Sequence, residues 1–135
     1  MITSILKDKK IIVMDDDPTQ VEFLSVILTK YGAQVTGTTD ALEAMELVRN
    51  RLPDLFITDL IHYEPDGFEM LKYLKGDDET KAIPIMIISG QIRDTNSREY
   101  VLREGAIEAI GKPYVFRDVL YRIYRILDPT YPSLN

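Results

Sequence analysis

Leu55-Phe56-Ile57-Thr58-Asp59 is the stretch from which the architecture can be read. A short apolar run, rich in β-formers, leads straight into a carboxylate and then into a loop. Such a run reads as a strand buried on both faces and ending at Asp59. In an open parallel sheet, functional groups collect just outside the carboxyl ends of the strands. Three other strand-like runs also end in polar groups. Lys10 to Met14 runs into Asp15-Asp16-Asp17, Ile85 to Ile88 into Ser89, and Ile107 to Ile110 into Gly111-Lys112. The expectation is that these groups converge on Asp59.

Helical signals fill the intervals. Asp17-Pro18-Thr19-Gln20, Asp40 with Glu43, and Asp66 with Glu69 each read as an N-terminal capping box. Val21, Leu24, Leu28 and Tyr31 recur at helical spacing, and Gly32 follows as a stop. Ala41, Ala44, Met45 and Val48 form a second apolar face, and Phe68, Leu71 and Leu74 a third. A weaker helix is predicted over Thr95 to Arg103, and a last one over Val115 to Leu127. Ala33-Gln34-Val35-Thr36-Gly37 alternates more, as a strand near a sheet edge does. Five strands alternating with five helices imply an α/β fold with a parallel sheet covered on both faces, doubly wound through right-handed crossovers. One domain is expected over residues 1–135, with its core at about 9–128, a polar lead-in before it and a frayed tail after Pro129.

Composition narrows the function classes. The chain has 135 residues, enough for one core, and 45% of them are apolar. A net charge of −6 argues against bare electrostatic binding to nucleic acid or anionic membrane. There is no cysteine, which excludes disulfides, thiolate metal sites and thiol nucleophiles. No apolar run approaches the roughly 20 residues of a membrane span, and the first ten residues lack the apolar core of a signal peptide. A cytoplasmic domain is the default expectation.

Ile11-Ile12-Val13-Met14-Asp15-Asp16-Asp17-Pro18, Ile57-Thr58-Asp59, Asp66-Gly67-Phe68-Glu69, Ile87-Ile88-Ser89-Gly90 and Gly111-Lys112-Pro113-Tyr114 together resemble the receiver domain of two-component response regulators. Asp59 precedes Ser89 by 30 residues and Ser89 precedes Lys112 by 23, both close to the family spacing. The resemblance implies a flavodoxin-like fold with strand order 2-1-3-4-5. It implies that Asp59 accepts a phosphoryl group from a sensor histidine kinase or phosphotransfer protein, with Ser89 and Lys112 contacting that group. It also implies Mg2+ held by Asp15, Asp16, Asp59 and the backbone carbonyl of Ile61, and a cis bond before Pro113. Such a domain is not an enzyme beyond its own phosphorylation and dephosphorylation.

The chemistry is consistent with this. Carboxylates about 4 Å apart repel by roughly 4 kcal/mol per pair at an effective dielectric of 20, and a hard divalent cation relieves that repulsion. Phosphoryl transfer to a carboxylate needs in-line positioning and charge neutralisation, which a lysine ammonium and a hydroxyl can help to supply. Taken singly, each group has a plainer role: helix-dipole partners for Asp15 to Asp17, turn residues for Asp59 and Ser89, a solvated side chain for Lys112. Their joint arrival at one sheet edge favours the functional reading. Two alternatives remain. One is a degenerate receiver that serves only for docking. The other is a haloacid-dehalogenase-like phosphatase, because Asp15-Asp16-Asp17-Pro18-Thr19 fits D-x-D-x-T with Asp15 as nucleophile and Asp17 as general acid; that family's late acidic motif is missing.

The chain departs from the family pattern in places. His62 and Tyr63 stand where Met-Pro is usual, and Ile61 is bulky. Ala109, three residues before Lys112, replaces the usual aromatic switch residue. The last helix carries Tyr121 and Tyr124 beside Val119, Leu120, Ile123, Ile126 and Leu127. These tyrosines form either an exposed patch for a homodimer or downstream partner, rimmed by Arg117, Arg122 and Arg125, or rings laid over the core.

Overall fold

In the computed structural model, which describes residues 3–60 and 65–132, five parallel strands form one sheet in the order 2-1-3-4-5. The elements are a four-residue helix α1 (Thr3–Leu6), β1 (Lys10–Met14), α2 (Pro18–Lys30), β2 (Gln34–Thr38), α3 (Ala41–Arg51), β3 (Leu55–Thr58), α4 (Gly67–Lys75), β4 (Ile85–Ser89), α5 (Thr95–Arg103), β5 (Glu108–Gly111) and α6 (Phe116–Leu127). The expected doubly wound α/β fold is thus present, with five helices packed on the sheet and α1 as an additional turn.

The inner strands β1, β3 and β4 read as continuous apolar runs because both their faces are covered. Successive side chains point to opposite faces, and the register places like with like: Ile11 beside Leu55, Val13 beside Ile57, Phe56 beside Ile85, Ile87 beside Ala109. On one face Ile12, Met14, Phe56, Ile85, Ile87 and Ala109 meet α3, α4 and α5 through residues such as Ala44, Val48, Leu71, Leu74 and Val101. On the other, Ile11, Val13, Leu55, Ile57, Met86 and Ile88 meet α2 and α6 through Leu24, Leu28, Val119 and Ile123. Fully burying a side chain such as Phe56 or Leu74 contributes roughly 1.5–3 kcal/mol. β2 is an edge strand, as its more alternating pattern suggests, and β5 is the other edge.

Several local expectations are revised. Leu6, within the stretch read as a polar lead-in, is fully buried in the α2/α6 layer. Tyr131, in the tail expected to fray, lies 5.3 Å from the Tyr124 ring and 6.2 Å from that of Tyr121. Arg125 Nη1 donates to the Tyr131 carbonyl at 2.6 Å. Of the three expected capping boxes only Asp66/Glu69 closes in both directions. Asp17 and Asp40 cap their helices singly because their own N–H groups are engaged elsewhere, with Asp15 Oδ1 and Thr38 Oγ1 respectively. A box not foreseen closes between Asp94 and Ser97 at the start of α5.

In the last helix the reading of rings laid over the core holds for Tyr124. Tyr124 is buried, with 3% of its surface exposed, between Tyr31 at the C-terminal end of α2 and Tyr131 of the tail. It is therefore not part of an exposed patch: α2 and the tail cover the side of the helix that sequence alone left open. Tyr121 is half-buried.

Candidate functional site

The carboxyl edge of the sheet is where the ends of β1, β3, β4 and β5 deliver their polar groups. Asp15 and Asp59 extend their strands by one main-chain bond each, Asp15 N–H to Thr38 O and Asp59 N–H to Met14 O, both at 3.3 Å. These bonds place the two carboxylates side by side. Gly67 permits the close approach of α4 behind them: a Cβ there would lie 2.6 Å from Leu60 Cα and 2.8 Å from Asp59 O. Its N–H bonds Leu60 O at 2.9 Å, and Leu60 N–H in turn donates to Asp59 Oδ1 at 2.6 Å.

One carboxylate oxygen from each of Asp15, Asp16 and Asp59 lies within 4.8 Å of the others. Asp15 and Asp59 are buried and Asp16 is exposed, so the cluster opens to solvent on one side. Lys112 reaches into it, with its Nζ 2.7 Å from Asp15 Oδ2 and 2.6 Å from Asp59 Oδ2. The lysine follows β5 and precedes Pro113 through a cis bond, as expected.

Burial pushes the Asp15 carboxyl above its ordinary value, against the hydrogen bonds from Lys112 and the Asp17 N–H. Burial also draws the Lys112 ammonium down, but its bonds to Asp15 and Asp59 outweigh that and hold it above its ordinary value. Two buried carboxylates thus share one ammonium, with a third carboxylate at the rim.

Ser89 is fully buried at the end of β4. Its Oγ accepts the Gln91 N–H at 3.1 Å, and its carbonyl accepts the Lys112 N–H at 3.1 Å. The hydroxyl and the lysine are therefore held in neighbouring strands at the same edge. Asp17 stands apart from the acidic cluster: its side chain accepts the Thr19 N–H as the cap of α2, which removes the general acid of the phosphatase reading. The Ile61 carbonyl, with His62 and Tyr63, lies outside the described residues. Sequence reasoning missed the main-chain donor from Leu60 and the Tyr114 Oη to Gln20 Oε1 bond at 3.2 Å, which ties the lysine loop to α2. The Asp66-Gly67 pair was the available signal for the first; nothing local marks the second.

Among the described residues no helix is long and apolar enough to cross a membrane. Residues 11–124 match the family described as the response regulator receiver domain. Protein PilH of Pseudomonas aeruginosa is 30% identical over 118 residues, covering 87% of this chain and 97% of PilH. A hybrid signal transduction histidine kinase D of Dictyostelium discoideum is 29% identical over 117 residues, which is 87% of this chain but 7% of that protein. The chain thus spans nearly all of one relative and a small part of another. Among solved structures, the receiver domain of a Francisella response regulator superposes with a TM-score of 0.84 at 23% identity, covering 92% of this chain and all of that one. With the sheet order, the grouped carboxylates and the family match in agreement, the chain belongs to the response regulator receiver domains, the signalling modules of two-component systems.

Proposed function

We propose that Asp59 is the phosphoacceptor of this receiver, and that residues 9–128 form its working unit. The observation that carries this reading is the buried Asp15/Asp59 pair bridged by Lys112, with Asp16 completing the acidic group. The donor is a phosphohistidine on a sensor kinase or phosphotransfer protein. An Asp59 carboxylate oxygen attacks phosphorus; the P–O bond forms as the P–N bond breaks, and the imidazole leaves with the bonding pair and takes up a proton. Lys112 Nζ, already 2.6 Å from Asp59, neutralises oxygen charge at that position. Ser89 supplies a hydroxyl donor on the adjacent strand.

The donor set suits a magnesium ion: among the described residues it is three carboxylates with no nitrogen or sulfur ligand, and it has an open side for water. Asp15, Asp16 and Asp59, with the Ile61 carbonyl, would hold it. When bound, it supplies charge neutralisation for the carboxylates and the transferring group. A protein donor would meet the exposed apolar side chains Phe23, Val26 and Val115 on α2 and at the start of α6, where Phe23 stacks edge-on against Phe116 at 6.0 Å.

The test is labelling with acetyl phosphate, with and without Mg2+, in wild type and Asp59→Asn. Mg2+-dependent labelling of the wild type, reduced at least about 100-fold in the variant, is expected. Equal labelling of the two proteins would refute the assignment.

A further inference from the structure

Position 109 holds a buried alanine, so β5 has no aromatic ring with which to relay a change at Ser89. Charge occupies the neighbouring position instead. Glu108 is half-buried, and its carboxylate accepts from Arg98 Nη2 of α5, from Arg122 Nη1 of α6 at 2.8 Å, and from the Ala109 N–H at 3.0 Å. Arg98 Nε also donates to the Ala109 carbonyl at 3.3 Å. One carboxylate on an edge strand thus ties both flanking helices to it. Side chains also take both main-chain groups of Ala109, which blunts the edge against strand addition.

The turn between Ser89 and Arg98 is bonded along its length. Ile92 N–H donates to Ser89 O at 3.2 Å, and Gln91 N–H to Ser89 Oγ at 3.1 Å. The Ile92 carbonyl packs on Gly111, where a Cβ would lie 2.2 Å from it. Arg93 N–H bonds Ser97 Oγ at 2.9 Å, and Ser97 N–H bonds Asp94 Oδ1 at 2.8 Å. Arg98 is the next residue. A displacement of Ser89 is therefore carried into the first turn of α5 with little slack.

We propose that Arg98, acting through Glu108 and Arg122, couples Ser89 to α6 in the place of an aromatic residue at 109. Arg98 is a positioning residue, and the proposal rests on the phosphoacceptor reading of Asp59. The coupling calls for a second arrangement of the bridge besides the one in this structure, where Glu108 is shared by both guanidiniums. In the second, α5 has shifted, Arg98 has released Glu108, and Arg122 retains it. Such a two-state element is what a differential ligand can bias. Arg122 keeps Asp118 as a second partner, 3.5 Å from its Nε, so α6 is not left without a counter-charge.

Amide NMR spectra of the full chain, with Mg2+ and with or without beryllofluoride, test this in wild type, Arg98→Met and Arg122→Met. In the wild type, shifts at Gln91 to Asp94, Glu108 to Gly111 and Val119 to Tyr124 are expected. Arg98→Met should keep the Gln91 response and lose roughly half or more of the response in both β5 and α6. Arg122→Met should keep the β5 response and lose only that of α6. A purely structural ion pair would not produce this order. If Arg98→Met does not fold, Arg98→Gln and Arg122→Met carry the test. Undiminished α6 shifts in the Arg98 variants overturn the coupling, as does a wild type that responds at Gln91 but not in α6. A wild type with no response at Gln91 refutes the phosphoacceptor reading, and the coupling with it.

Discussion

Two charge clusters stand at different places on the sheet, and they are mirror images in sign. At the carboxyl edge, Lys112 lies between two buried carboxylates, with Asp16 nearby: among the described residues, three negative groups to one positive. Beside β5, Glu108 lies between two guanidiniums, with Asp118 at the margin: two negative groups to two positive. Among the described residues the first cluster carries more negative than positive groups, and it is partly open to water. The second is balanced, and its central carboxylate takes three donors. An unbalanced buried cluster favours any cation that can enter, whereas a balanced one only holds elements together. The difference separates a cluster suited to take up a cation from one suited to hold elements together.

The largest expected effect breaks the first cluster. Lys112→Met leaves Asp15 and Asp59 buried without their ammonium and should lower stability by about 3 kcal/mol at neutral pH. The loss should shrink as pH falls and the carboxylates protonate. Millimolar Mg2+ should restore more stability to the variant than it adds to the wild type. The wild-type lysine, whose folded value is raised, contributes stability that is present below about pH 10.5 and lost as pH rises through its folded value. Urea unfolding at pH 4, 7 and 10.5, with and without Mg2+, measures all of this.

Glu108→Gln is the matching change in the second cluster. Arg98, Arg122 and Glu108 are partly solvated, so water can take over the freed donors, and a cost of about 1 kcal/mol is expected. Unlike Lys112→Met, this cost should be independent of Mg2+. An Mg2+-dependent cost for Glu108→Gln would erase the distinction between the two clusters.

The two clusters also differ in how far they could be read from sequence. Asp15, Asp16, Asp59 and Lys112 follow, and Ser89 ends, strands that are recognisable by themselves, so the fold and the candidate site were legible together. The Arg98–Glu108–Arg122 bridge draws on three elements with no shared period, and each charge alone reads as a solvated surface residue. Tyr124 was left between two readings for a related reason. Its cover comes from Tyr31 and Tyr131, far away in sequence, and a helix apolar on more than one face does not say which face a tail will close. The capping boxes at Asp17 and Asp40 failed because neighbouring side chains, Asp15 and Thr38, had already taken the N–H that the box requires.

A smaller effect of opposite sign sharpens the contrast. Burial raises the Asp15 carboxyl above its unfolded value, so its contribution favours folding below pH 3.8 and is lost as pH rises through the folded value. At pH 7 the ionised group opposes folding. Asp15→Asn should therefore stabilise the metal-free protein by about 1 kcal/mol while weakening its response to Mg2+, the usual trade at a binding site. Thermal unfolding with and without Mg2+ checks both halves. A destabilised Asp15→Asn would mean that its bonds to Lys112 and the Asp17 N–H outweigh its burial.

The smallest effect concerns a buried polar group outside both clusters. The Tyr124 hydroxyl is buried and has no hydrogen-bond partner among the described residues, and burial followed by the nearby Tyr31 and Tyr131 pushes it up to about 12. Removing an unpartnered hydroxyl leaves nothing unsatisfied behind, so Tyr124→Phe should change stability at pH 7 by less than about 1 kcal/mol, towards greater stability. Its effect should appear in alkali. A tyrosine with a raised folded value contributes stability below about pH 10 and loses it as pH rises towards 12, because the unfolded chain ionises first. Tyr124→Phe should therefore flatten the fall in stability between pH 10 and 12, a change measurable by urea unfolding across that range. A fall as steep as that of the wild type would show that the hydroxyl reaches water in solution. The tyrosine would then belong to the exposed face of α6 rather than to the core beneath the tail.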